Sequence, residues 1–340
     1  MVRGMTADPR LGLVLNSGSS SLKFATFDLG DEACPQIASG EGVAAFDSVG
    51  GGKPIAIGHR IVHGGPRLLR HCRIDAAIVR DLEAAEPFAP LHVPAALSLL
   101  RAAMVRFPAA AQIACFDTAF HADLPDVART LPIPRALRGA GLRRYGFHGL
   151  SCESIVHQLG ERCPERLIVA HLGNGVSVTA IRDRRSIDTS MGLTPSGGAI
   201  MGTRTGDLDP GIILHLLRQE GATAASVEAI VIKGSGLLGI SGLSSDMRAL
   251  RAAAAEPDAD LAIRMFSRSV AKQIAAMMTA LGGADMLVFT GGIGEHDGET
   301  RDAIMADLAW TGTGGASFAV ATLPSGEEQQ IARHMRALLS

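Results

Sequence analysis

The chain writes one strand-turn-strand unit twice, and this repetition constrains its fold more than any other feature. Leu11 to Leu15 is an apolar run of strand length, Asn16 to Ser21 is a turn of hydroxyls, a glycine and an amide, and Leu22 to Phe27 resumes as a strand. Far downstream, Leu167 to His171, the turn Leu172 to Gly175 and Val176 to Ile181 repeat the pattern. Such turns present backbone N–H groups and short side chains to an anion. Two further strands end in polar groups: Ala111 to Phe116 runs into Asp117 and Thr118, and Met286 to Phe289 runs into TGGIGE. A helical stretch, Thr300 to Leu308, follows the second, and strand, glycine turn and helix together set donors against a phosphate.

Helical spacing is read at Ala76 to Glu86, Ala95 to Val105, Cys152 to Leu159, Pro210 to Gln219 and Leu261 to Leu281. Glu327 to Leu339 is a short helix placed to return to the first domain, and Gly30 to Gly52, with weak periodicity, reads as a surface connection. At 340 residues the chain exceeds one core and is expected to form two domains. With 47% hydrophobic and 19% charged residues, it can bury a large interior. No apolar run is long enough for a membrane span and the start, MVRGMTADPR, lacks the apolar core of a signal peptide, so a soluble, cytoplasmic protein is expected. A net charge of -2 gives no reason to expect nucleic acid or an anionic membrane as partner. The five cysteines contain no CxxC pair and read as reduced, mostly buried thiols.

The stretch Asp188 to Gly211, DTSMGLTPSGGAIMGTRTGDLDPG, holds six glycines and two prolines and reads as a long functional loop. Its one basic residue, Arg204, carries a planar guanidinium suited to phosphate or carboxylate, the plainer alternative being an ion pair with Asp207 or Asp209.

LNSGSSSLKF, GHRIVHGG, APLHVP, FDTAFH, RYGFHGLS, HLGNGVSV, the 188–211 loop, SGLLGISGLSSDMR and FTGGIGEH stand in the order and spacing of the acetate kinase family, and the chain resembles it from Leu11 to Arg333. The resemblance implies a duplicated actin-like (ribonuclease H-like) α/β fold of two domains with a central catalytic cleft, a homodimer, and Mg-dependent transfer of a phosphoryl group from ATP to acetate, giving acetyl phosphate and ADP. Mn could replace Mg. The N-terminal domain would comprise 1–119 with 327–340, and 120–326 would bind the nucleotide.

On the family's pattern, Arg60 and Arg204 clamp the acceptor carboxylate and the migrating phosphoryl group, and His148 stabilises its equatorial oxygens. Asp117 would orient Arg60 or water on the metal. A general-base role is not needed, because the acceptor acid is already ionised at pH 7. Asn16 and Glu327 match the metal-associated positions, although Gly326 stands where the family has asparagine and Glu328 is an adjacent competitor. Val62, Leu91, Phe147 and Pro195 would line the acceptor's methyl pocket. Ser19, Ser21 and Lys23 would line the first hairpin near the nucleotide. His171, Leu172, Gly173, Asn174 and Gly175 would meet its phosphates, Asp246, Met247 and Arg248 its ribose and base, and Gly292, Ile293, Gly294, Glu295 and His296 its adenosine. His59, His63 and His121 read as structural.

Departures are Cys152 for the family's histidine, His296 for asparagine, and shortened segments at 30–54 and 297–325. They bear on catalytic efficiency and nucleotide preference more than on reaction class, with pyrophosphate an alternative donor; propionate is the alternative acceptor, because an apolar pocket rejects one methylene by only about 1–3 kcal/mol. An actin-like sugar kinase would need an aspartate base and a polar pocket, against the apolar quartet; a non-catalytic nucleotide switch would lack the acceptor residues that are present here.

Overall fold

The computed structural model describes residues 10–17, 22–42, 52–312 and 318–340. Two compact units emerge, one of 1–122, 148–154 and 326–340, the other of 123–147 and 155–325.

The first unit is built on six strands: β1 (Leu11–Ser17), β2 (Leu22–Asp28), β3 (Gln36–Glu41), β4 (Ala56–Ile61), β5 (Cys72–Arg73) and β6 (Ala111–Phe116), in the order β3-β2-β1-β4-β6-β5. β1, β4 and β6 run parallel, and β2 and β3 fold back antiparallel. The second unit holds β7 (Arg166–Leu172), β8 (Val176–Arg182), β9 (Arg185–Thr189), β10 (Met286–Thr290) and β11 (Ala319–Thr322), in the order β11-β10-β7-β8-β9. Each sheet thus has a three-strand meander followed by parallel strands on the far side of its first strand. The repetition extends to a register shift: β2 against β3 slips between Thr26 and Phe27, and β8 against β9 slips between Ala180 and Ile181, the equivalent place in the middle strand. Bulges bend a strand and raise its twist, so both sheets curve at the same point.

The inner strands are nearly continuous apolar runs because both faces are covered. In the first unit one cover is the C-terminal helix Glu327–Leu339, whose Ile331, Ala332 and Met335 are fully buried. Two glycines make room for it. A Cβ on Gly58 of β4 would lie 2.4 Å from Met335 Sδ and 2.5 Å from Ile331 Cγ2, and one on Gly12 of β1 would lie 2.7 Å from Met335 Cε. Burying Ile331 and Met335 in this way contributes about 1.5–3 kcal/mol each.

β3 corrects the expectation of a plain surface connection at 30–52: Gln36–Glu41 is an edge strand. Its residues are almost all exposed, so it carries no apolar alternation by which to recognise it. The helix Gly149–Leu159 begins three residues earlier than its apolar spacing suggests. The helix Pro257–Leu281 begins at a proline, whose missing N–H costs nothing in the first turn. The glycine turn after β10 is instead a short helix, Gly291–His296, followed by Gly298–Asp307. No helix among the described residues is long and apolar enough to cross a membrane.

Candidate active site

Because β1, β4 and β6 are parallel neighbours, their C-terminal ends share one edge of the first sheet, the edge where open α/β sheets bind ligands. Asn16, Arg60 and Asp117 lie there. Arg60 Nε donates to both oxygens of Asp117, at 3.0 and 3.1 Å, and Nη2 donates to Oδ2 at 2.8 Å. Its Nη1 donates to Asn16 Oδ1 at 3.1 Å and lies 3.4 Å from Glu327 Oε2. Asn16 Nδ2 in turn donates to Glu328 Oε1 at 2.7 Å and, more weakly, to Glu327 Oε2 at 3.5 Å. Glu327 is brought in by the C-terminal helix, which ties that helix to the site.

The electrostatics follow from burial. Burial works against charge on Arg60, but Asp117 and Glu327 hold its pKa above the ordinary value. Burial pushes the Asp117 carboxyl up, to about 6, against the pull of Arg60. Asp117 and Glu327 pair with one guanidinium and Glu328 accepts from the neighbouring Asn16, and the excess negative charge of these three carboxylates is of the kind that a hard divalent cation offsets. The donor set therefore fits magnesium, with Glu328 a ligand candidate beside Asn16 and Glu327. Lys23 pairs with Asn16 across the β1-β2 hairpin and is exposed. Ser19 and Ser21 lie outside the described residues.

His148 is buried and its backbone is left-handed, with φ 58°. A non-glycine residue held there costs on the order of 1–3 kcal/mol, and such strain concentrates at functional sites. Backbone bonds fix the turn at it: Cys152 N–H donates to His148 O at 3.1 Å, opening the helix, and the next residue, Gly149, donates its N–H to Asp117 O at 2.8 Å.

In the second unit the 190–209 loop is not free. Ser235 N–H donates to Thr203 O, Leu237 to Met201 O, Leu238 to Gly202 O, and Thr205 N–H to Val231 O. These bonds fix the backbone on both sides of Arg204. Its Nη1 donates to Pro195 O at 3.0 Å and meets Met201 Sδ at 3.6 Å. Among the described residues no carboxylate lies within ion-pair distance of it; Asp207 receives Gly198 N–H and Gln273 instead, and Asp209 caps the helix Pro210–Leu217. Burial lowers the Arg204 pKa with nothing opposing it.

The turn after β7 meets this loop closely. Gly202 N–H donates to Asn174 O, and a Cβ on Gly202 would lie 2.4 Å from Asn174 Oδ1 and 3.3 Å from Ser245 O. A Cβ on Gly291 would lie 2.8 Å from Leu172 O and 3.1 Å from His171 Nε2. The segments 171–175, 201–202, 245–246 and 290–292 therefore converge. Gly292 is exposed there, Ile293 and Gly175 are half-buried, and Gly173 N–H turns back to Gly175 O.

The other residues expected at the nucleotide have partners or burial of their own. Met247 is 3% exposed and the Leu172 side chain is fully buried, so both belong to the core. Asp246 caps the helix Met247–Ala252 and pairs with Arg248 at 2.6 Å. Glu295 accepts Gly291 N–H and Ser325 N–H, each at 3.0 Å, and so holds its own turn together beside the buried Gly294 and exposed His296. The acceptor quartet is divided between the units, half-buried Val62 and exposed Leu91 in the first, buried Phe147 and half-buried Pro195 in the second.

Two meander-and-crossover sheets, each carrying polar groups at the ends of its parallel strands, define a duplicated actin-like α/β protein. The Acetokinase family model matches residues 52–333. An acetate kinase from Rhodopseudomonas palustris is 37% identical over 386 aligned positions, covering 95% of this chain and 97% of the relative. A propionate kinase structure from Francisella tularensis superposes with a TM-score of 0.89 at 35% identity, over 96% of this chain and 99% of that one. The acetate kinase structure from Porphyromonas gingivalis gives 0.82 at 31%, over 97% and 100%. The chain belongs to the acetokinase family.

Proposed function

We propose that this chain is an acetate kinase, transferring the γ-phosphoryl group of ATP directly to the carboxylate of acetate and running in reverse from acetyl phosphate and ADP. The observation that carries this reading is Arg204: a half-buried guanidinium that donates to a carbonyl and meets a thioether, with no carboxylate at ion-pair distance among the described residues, is suited to an anion. The names of the family's relatives supply the acceptor class, and the propionate kinase among the similar structures makes propionate the second candidate.

The reaction brings two anions together, so neutralisation and alignment are the main work. Arg204 takes the migrating phosphoryl group. Arg60, its side chain oriented by Asp117, holds the acceptor carboxylate with its remaining N–H capacity. His148 donates to the equatorial oxygens as their charge spreads. Asn16, Glu327 and Glu328 would hold magnesium, which supplies charge neutralisation on the phosphates when bound. The convergent turns at 171–175 and 290–292 offer backbone donors to the nucleotide. Val62, Leu91, Phe147 and Pro195 set the size of the acid. The expected division, 1–119 with 327–340 against 120–326, differs from the compact units chiefly at 148–154, which pack with the first.

A homodimer is supported by the helix Pro210–Leu217, which buries no residue in the monomer and exposes Ile212, Leu214 and Leu217. A reducing cytoplasm is supported by five free thiols, three of them buried. The test is acyl phosphate formation, trapped with hydroxylamine, from MgATP or pyrophosphate with acetate, propionate and butyrate in parallel. Product from MgATP ranked acetate first is expected. No product with any acid in folded, ATP-binding protein would overturn the reading.

A further inference from the structure

The first unit holds another polar cluster, half-buried, that no motif contains. His71 precedes β5, Glu153 lies on the helix Gly149–Leu159, and His334 lies on the C-terminal helix. Phe116 N–H donates to His71 Nδ1 at 3.0 Å. That bond uses the Nδ1 lone pair, so the hydrogen of the neutral ring sits on Nε2, which faces Glu153 Oε1 at 3.3 Å. Burial lowers the His71 pKa, so the ring is neutral at pH 7. Glu153 Oε2 accepts from His334 Nε2 at 2.6 Å, and the two imidazole centroids are 3.9 Å apart. Burial opposes charge on Glu153, yet the two histidine bonds bring its carboxyl down to about 2. The ligand atoms of the three residues lie within 4.8 Å of one another, the outline of a cation site. A ring with Nδ1 taken and Nε2 protonated offers an ion no lone pair, so the cluster is a hydrogen-bonded tie.

What the tie joins decides its role. Phe116 immediately precedes Asp117, and Gly149, one turn before Glu153, donates to Asp117 O. A Cβ on Gly149 would lie 2.4 Å from that oxygen. The helix is thus pinned to the end of β6 at two points, directly at Asp117 and through Glu153 and His71 at Phe116. His148 is the residue just before the pinned turn. His334 lies two turns after Glu327 on one face of the C-terminal helix, so the same carboxylate also sets the rotation of the helix that presents Glu327 to Arg60.

We propose that Glu153 is a positioning residue for phosphoryl transfer: through His71 and His334 it holds the helix that follows His148, and the helix carrying Glu327, in register with Arg60 and Asp117. The inference rests on the role given to His148 above. Its test is a double-mutant cycle of Glu153→Ala and His148→Ala, with Glu153→Gln as the conservative variant, each checked for native circular dichroism and assayed for kcat and both KM values. Glu153→Ala is expected to lower kcat about ten- to a hundredfold, as loss of supporting partners does, with KM for ATP within about twofold. Glu153→Gln keeps the volume and one accepted bond and recovers part of kcat, and it carries the test if the alanine variant fails to fold. In the His148→Ala background the Glu153 change should cost less than about threefold, because the residue it positions is gone. Wild-type kcat in both Glu153 variants, or single effects that multiply fully in the double variant, would overturn the proposal. His148→Ala at wild-type kcat would remove the role of His148 and the proposal with it; a slow His148→Ala beside unimpaired Glu153 variants would remove the proposal alone.

Discussion

Asp117 holds Arg60 side-on, both carboxylate oxygens accepting from Nε while Oδ2 also accepts from Nη2, which leaves the outer face of the guanidinium toward Asn16 and Glu327. Asp117→Asn removes the charge and half of the acceptor capacity without changing volume. Charge-assisted bonds of this kind are worth about 1.5–3 kcal/mol, so kcat should fall about ten- to a hundredfold. Steady-state kinetics with saturating MgATP checks it, and unchanged kcat would take Asp117 out of the mechanism.

Arg204 meets no carboxylate among the described residues, and on the proposed mechanism its loss removes one of the cations that offset charge on the transferring group. Arg204→Ala should lower kcat by about a hundred- to a thousandfold, the scale of removing one donor from developing charge, while calorimetry still detects ATP binding.

Val62 is half-buried at the end of β4, two residues beyond Arg60. Val62→Ala should shift kcat/KM toward propionate and butyrate by up to about tenfold relative to acetate, since one methylene is worth about 1–3 kcal/mol. If longer acids gain nothing, the pocket assignment is wrong.

His59 is buried against Gln112, with Nε2 2.8 Å from Oε1, and burial lowers its pKa to about 4. Between that value and the unfolded value of about 6.5 the unfolded chain binds a proton that the native state refuses, so stability falls as pH falls through this window. From pH 7 to pH 5 the loss from this group is about 2 kcal/mol. Urea unfolding at the two pH values measures it, and His59→Gln, which keeps a donor to Gln112, should remove that part of the slope.

Leu214 is 51% exposed on a helix with no buried residue. Leu214→Asp should convert a dimer to monomers in light scattering while leaving the circular dichroism spectrum unchanged. A wild-type protein that already runs as a monomer would refute the assembly.

The strand-turn-strand repeat was legible because apolar runs and polar turns alternate in the chain itself, and both sheets are organised on it. β3 was not, because an edge strand exposed along nearly its whole length has no apolar side to announce it. Among the site residues, Arg60, Asp117 and Asn16 stand in recognisable motifs, whereas nothing in the motif around Met247 tells that its side chain packs inward. His71, Glu153 and His334 escaped for another reason: residues distant in sequence meet only when the C-terminal helix closes over β1 and β4, and nothing local marks them.

That closure also orders events during synthesis. Gly12 and Gly58 leave a bare strip on the first sheet that Ile331 and Met335 fill, and the second unit is translated in between. A nascent chain can therefore complete its second unit while the first still exposes an uncovered apolar face. The first unit matures last although its sequence begins first, and chaperone engagement with the emerging chain should end only when the Met335 segment leaves the ribosome.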